Sequence, residues 1–185
     1  MSMFGFVMGM PFIQNMYIAD WWQPNFIFDF PIKIEDLLFG FGTVGVISSL
    51  YSILKSKNRT PSKTSFSAKY KVIAVFCGFT TLFACFYILN LHSLWASVIG
   101  ISVGIIFVVL KKPGFLKYAI LNGILISVFF LPIYLLAIYI NPQFISNEWF
   151  LNQLSGITLL TIPIEEFIWY FFTGLGISGL QEMLD

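Results

Sequence analysis

Three stretches of this chain, at 72–89, 94–110 and 118–140, contain no charged residue at all. Each is about as long as the ~20 residues an α-helix needs to cross a ~30 Å hydrocarbon core. Inside lipid every backbone amide and carbonyl must find its partner within the segment, which for single runs of this kind means a helix. Weaker runs at 3–19, 35–54 and 160–181 extend the series to about six. Only 10% of the residues are charged, where a soluble domain carries about 25%, so a soluble globular domain is excluded. The fold class expected is all-α, a polytopic membrane bundle of about six transmembrane helices.

The basic residues orient the bundle. Lys55, Lys57, Arg59, Lys63, Lys69 and Lys71 fall between the second and third runs, and Lys111, Lys112 and Lys117 between the fourth and fifth. With alternating spans these two loops share one side, and only Lys33 lies elsewhere. The positive-inside rule makes that side cytoplasmic, with both termini cytoplasmic too. The N-terminus has no basic region ahead of its apolar run, so no cleavable signal is expected. Trp21 and Trp22, on the opposite side, read as an interfacial belt. Membrane lipid is the expected surrounding.

Against this background two acidic pairs need a reason. Glu165 and Glu166 follow Pro163 and open the last run; Glu35 and Asp36 open the second. A charge inside a membrane helix costs roughly 2.5–3.5 kcal/mol even on lenient insertion scales, and such residues are functional by default. A structural role is available, because acids in a first turn complement the helix dipole and its unpaired amides. It accounts for one acid more readily than for two adjacent acids occurring twice. The two motif helices are separated by an even number of crossings, so they point the same way. The chain then reads as two parallel repeats, residues 1–71 and residues 72–185, the second with an additional linker helix. Both carboxylate pairs reach one membrane depth, where spans two and six would share an apolar cavity.

The candidate catalytic residues are therefore Glu35, Asp36, Glu165 and Glu166. Adjacent residues on a helix point about 100° apart, so one acid of each pair can face the cavity while its partner orients it or caps the helix. Trp22, Phe39, Trp149, Phe167 and Trp169 are the candidates for binding substrate. Aromatic faces attract cations, and a protonated carboxyl beside them suits protonation of an alkene and shelter of the resulting carbocation.

Other signals carry less. Gly40-Phe41-Gly42-Thr43-Val44-Gly45 and Gly174-Leu175-Gly176-Ile177-Ser178-Gly179 match a dinucleotide fingerprint, but lie inside spans without the βαβ context it needs. Close helix approach through small residues explains them better. Cys77 and Cys85 read as buried small residues. His92 is the only histidine, which excludes a histidine-rich metal site. The sequon at Asn58 falls in a cytoplasmic loop, and no nucleic-acid module is visible.

The second motif, Pro163-Ile164-Glu165-Glu166-Phe167-Ile168-Trp169-Tyr170, and the first, Lys33-Ile34-Glu35-Asp36-Leu37-Leu38-Phe39-Gly40, resemble those of the lycopene cyclase domain family. Its members carry a Pro-x-Glu-Glu-x-x-x-Phe-like signature at the head of a transmembrane helix in each of two repeats. Lys33 replaces the proline in copy one, which is also short of one helix. The resemblance implies a lycopene β-cyclase-like isomerase of carotenoid biosynthesis, without cofactor or metal, closing the linear ends of lycopene into β-ionone rings. It implies a lipophilic polyene substrate and makes a second cyclase subunit a candidate partner. The alternatives are another membrane terpene cyclase, or a non-enzymatic carotenoid-binding or transport subunit. A glutamate-dependent intramembrane protease fits worse, since Tyr170 stands where its arginine would be.

Overall fold

The computed structural model describes residues 14–23, 34–56 and 65–184. They are mostly helical. A short helix α1 (14–20) is followed by α2 (Ile34–Ser56), α3 (Ala68–Phe83) with a π-turn (Ala84–Ile88), α4 (Ser93–Lys111) and α5 (Phe115–Ile140). Then come α6 (Phe144–Glu148), a two-stranded hairpin, β1 (Thr158–Leu159) and β2 (Ile162–Pro163), and α7 (Ile164–Leu184).

The helix ends are set by local chemistry. Ser67 opens α3 by accepting the Tyr70 amide at 3.3 Å. His92 Nδ1 accepts the Leu94 amide at 3.2 Å, capping α4. Asp20, at the end of α1, accepts the Ser93 amide at 2.8 Å and the Ser93 hydroxyl at 2.5 Å. That fastens α1 to the start of α4.

Helix α7 is the centre of the bundle. It packs against α5, α4 and α2, while α3 packs on α4 and α2 on α5. The α5–α7 crossing depends on two glycines. A Cβ on Gly174 would lie 2.7 Å from the Gly123 Cα, and one on Gly123 would lie 2.7 Å from the Phe171 carbonyl oxygen. Gly78 and Gly100 do the same at the α3–α4 crossing, where a Cβ on Gly100 would lie 2.9 Å from the Gly78 carbonyl oxygen. Close approach through small residues thus holds for Gly174. It does not hold for Gly42 and Gly45, which face open space. Asn122, fully buried on α5, donates to the Ile47 carbonyl (3.1 Å) and to Ser178 Oγ (2.9 Å), tying α2, α5 and α7 at mid-height.

Four of the described helices, α2, α3 with its π-turn, α4 and α5, are long and apolar enough to cross a membrane. Helix α7 has the length but carries Glu165 and Glu166 in its first turn and Glu182 near its end. It is the helix most enclosed by the others, so its polarity is tolerated by burial in protein. The expected sixth span also starts later than 160. Residues 158–163 form the hairpin, with Leu160 and Thr161 both at positive φ (52° and 70°) in its turn, as a two-residue primed turn requires. Pro163 therefore ends a strand and does not sit in the first helical turn. Residues 3–13 of the expected first span, Lys33 and the Asn58 sequon lie outside the described residues. Cys77 and Cys85 are free, half-buried and buried respectively.

Candidate active site

A cavity of about 500 Å³ runs along α7, within the roughly 300–1,000 Å³ usual for small-molecule sites. Its walls come from α2, α3, α4, α5 and α7, and residues 17–22 and 144–149 close one end. Small residues on four helices, Gly40, Gly78, Gly104 and Gly176, keep the walls low. Polar groups are concentrated at the end where α7 begins.

Glu166 faces this cavity and is buried. Its Oε1 accepts the Trp149 indole N–H at 2.7 Å, and its Oε2 accepts a short hydrogen bond from the Tyr134 hydroxyl. Both donors are neutral. Glu165, one residue earlier, points elsewhere. Its Oε1 accepts the Ser155 amide at 2.7 Å, fixing the loop that leads into the hairpin, and it does not line the cavity. In the second motif one acid is turned inward, while the other holds the Ser155 amide of a preceding loop rather than orienting its neighbour or capping the helix.

Asp36, buried on α2, lines the same cavity, together with Thr43, Gly40 and Phe39 from successive turns. Glu35 does not line it. The geometry thus brings Asp36 and Glu166 to one space and leaves Glu35 and Glu165 outside. Helices α2 and α7 run the same way, since their far ends also meet through Lys55 and Glu182 at 2.8 Å.

Trp22, Phe39, Trp149 and Trp169 all line the cavity; Phe167 does not, and its carbonyl accepts from Ser127 Oγ at 3.0 Å. Trp21, read from sequence as an interfacial belt residue, is turned inward and buried. Its ring stands edge-on to Trp169 and to Tyr17, with centroids 6.1 and 5.2 Å apart. The Trp169 indole N–H donates to Tyr17 Oη at 3.0 Å, and Tyr17 Oη is 2.9 Å from Ser97 Oγ. The backbone knits this roof together: the Phe150 amide donates to the Trp21 carbonyl at 3.0 Å and the Gln23 amide to the Glu148 carbonyl at 2.8 Å.

Sequence reasoning missed Tyr134, Tyr17 and the inward turn of Trp21. Tyr134 had a weak signal, a hydroxyl within an uncharged apolar run two residues after Pro132. Its pairing with Glu166, 32 positions away, is a product of the α5–α7 crossing.

What this arrangement can do follows from its parts. A carboxyl held by neutral donors in an apolar space can exchange a proton with a hydrocarbon that no water reaches. The surrounding indole and phenol rings stabilise positive charge without reacting as bases. A second carboxyl on the facing wall supplies a second proton site.

The family model described as lycopene cyclase matches residues 92–184. Comparisons with curated proteins and with solved structures return no match. The matched half contains α4 to α7, hence Glu166, Tyr134 and Trp149, whereas Asp36 comes from the half that precedes it. An acid-bearing apolar cavity along α7 and a family match over half the chain lead to one conclusion: this chain belongs to the lycopene cyclase family, with a carotenoid-cyclase kind of function.

Proposed function

We propose that the chain is a lycopene β-cyclase-like membrane isomerase, with Asp36 and Glu166 as its acid pair. The observation that carries this reading is that these two carboxyls, 130 positions apart in sequence, line one apolar, aromatic-walled cavity. One gives the initiating proton to the terminal C1=C2 bond of the polyene, leaving a cation at C1. The electron pair of C5=C6 forms the C1–C6 bond and moves the cation to C5. Loss of the C6 proton to the second carboxyl restores a C5=C6 double bond inside the new ring. One proton enters and one leaves, so the net change is an isomerisation.

The chain's own residues divide the work. Trp149 and Tyr134 hold both oxygens of Glu166. The Tyr134 hydroxyl can donate to a carboxylate or, turned round, accept from a carboxylic acid, so it serves both states of that group. Glu165 supports position by holding the Ser155 amide at the roof. Trp21, Trp22 and Trp169 cover the acids from above, excluding water that would capture the cation.

The membrane arrangement belongs to the same proposal. The chain crosses six times, with the 55–71 and 111–117 loops and both termini on the cytoplasmic side, and α2 and α7 head two parallel repeats. A second cyclase subunit is the candidate partner. Expressing the chain in lycopene-accumulating cells, alone and beside candidate partner subunits, tests the activity; γ- and β-carotene are the expected products. Polyene that is bound but never cyclised would make the chain a carotenoid-binding subunit instead.

A further inference from the structure

Among the described residues, the cavity has acids at one end only. Asp36, Glu148 and Glu166 line it beside the start of α7, while its other end is lined by Val108, Leu180 and Met183. At about 1.5 Å per residue, the stretch of α7 from Glu166 to Met183 is about 26 Å long, close to the ~30 Å thickness of a bilayer's hydrocarbon. The space is thus a long slot running beside α7 over nearly the height of the bundle.

A charge cluster lies next to the lower end, beside Met183. Glu182 receives Lys55 Nζ at 2.8 Å and Lys112 Nζ at 2.9 Å, and the Tyr51 hydroxyl donates to it at 2.6 Å. Lys55 is in the last turn of α2 and Lys112 follows α4, so Glu182 draws the two walls together beneath the slot. Phe66 packs there too, with Lys112 Nζ 4.9 Å from its ring centre. A hydrocarbon end has nothing to gain by entering ion-paired surroundings, so the slot stops at Met183.

We propose that this slot is a single-ended ruler: it holds a linear polyene lengthwise along α7, its far end stopping against Val108 and Met183, so that chain length decides which substrates reach the acids and one ring forms per binding event. The inference rests on the cyclase reading for its chemistry, but its geometry is tested by binding. Making the second ring requires the half-cyclised molecule to leave, turn end for end and re-enter. Gly104 and Leu180 line the lower part of the slot, away from the acids. A Cβ on Gly104 meets nothing closer than the Ala74 carbonyl oxygen at 3.9 Å, so a larger side chain there has room to project.

The test is binding of two acyclic polyenes, lycopene and an analogue shortened at one end, to purified full-length protein in lipid nanodiscs. Quenching of the indoles that line the slot reports occupancy without requiring turnover. The intact chain is expected to bind both. Gly104→Leu and the milder Leu180→Phe are expected to weaken lycopene at least about tenfold while leaving the shortened analogue within about twofold, a tenfold change being about 1.4 kcal/mol. Equal affinity of the folded variants for both lengths, or loss of both lengths, would overturn the ruler, as would failure of the intact chain to bind either. Length-selective binding with no cyclised product would keep the ruler and remove the cyclase reading. In active protein with excess lycopene, the one-ring product should accumulate before the two-ring product; two rings appearing without it would overturn the one-end claim.

Discussion

Two of the three buried glutamates on helix α7, Glu166 and Glu182, lie 16 positions apart and are equally enclosed, each 5% exposed. Their surroundings make them different chemical groups. Glu182 sits between two lysines and a tyrosine hydroxyl, and its charge is matched by opposite charge. Glu166 is held by a tyrosine hydroxyl and an indole N–H, both neutral, and it opens onto an apolar cavity. Burying a charge is tolerable when it is paired and hydrogen-bonded, and otherwise the group favours its neutral form. Glu182 is thereby a fastener for the ends of α2, α4 and α7. Glu166 is left available for proton exchange. Burial alone does not distinguish a site from a structural charge; the sign of its neighbours does.

That contrast can be broken at either end. The largest expected effect is from Glu166→Gln, which keeps an oxygen for the Trp149 N–H but cannot deliver a proton. Cyclised product in lycopene-accumulating cells should fall by at least about a hundredfold, in the range general acid catalysis supplies, with the protein still in the membrane fraction. Retained turnover would move the chemistry to another acid. Glu182→Gln should show the reverse pattern. It removes the carboxylate that Lys55 and Lys112 share and should cost about 2 kcal/mol, less than the 3–5 kcal/mol of a fully buried pair because Lys55 keeps some water. The readout is a lowered melting temperature in detergent, with turnover per folded molecule reduced less than about threefold.

Two subtler variants sharpen the comparison. Trp149→Phe keeps the ring but removes one donor to Glu166, a hydrogen bond of the roughly 1.5–3 kcal/mol class when the acceptor is charged. Turnover should fall about tenfold, with a smaller change in melting temperature. Tyr51→Phe removes one donor to Glu182 while both lysines remain, so stability should fall by only about 1 kcal/mol and turnover should not change. If Trp149→Phe proved merely destabilising, or Tyr51→Phe merely inactivating, the division between the two ends would be wrong.

How much of this could be read beforehand differs by element. Helices α3, α4 and α5 were legible because an uncharged run of that length has few other ways to satisfy its backbone. The start of α7 was misjudged by a few residues. Ile157 to Leu160 are as apolar as the helix that follows, and nothing in them announces a turn held at positive φ on leucine and threonine. The two glycine fingerprints look alike, yet Gly174 meets Gly123 across a helix crossing while Gly42 and Gly45 meet nothing. Spacing reports which residues share a helix face, and only packing says what that face touches.

By itself the sequence determined a helical chain of membrane-like apolarity with acids at the heads of two of its helices, because local hydropathy and the backbone's need for partners decide those things. Which acid of each pair turns inward was a matter for the tertiary structure. Asp36 and Glu166 share a cavity, with Tyr134 and Trp149 as partners for the latter, because α7 crosses α5 at Gly123 and Gly174 and lies beside α2. These are contacts between distant parts of the chain, and their geometry depends on how whole helices pack, which no local pattern encodes.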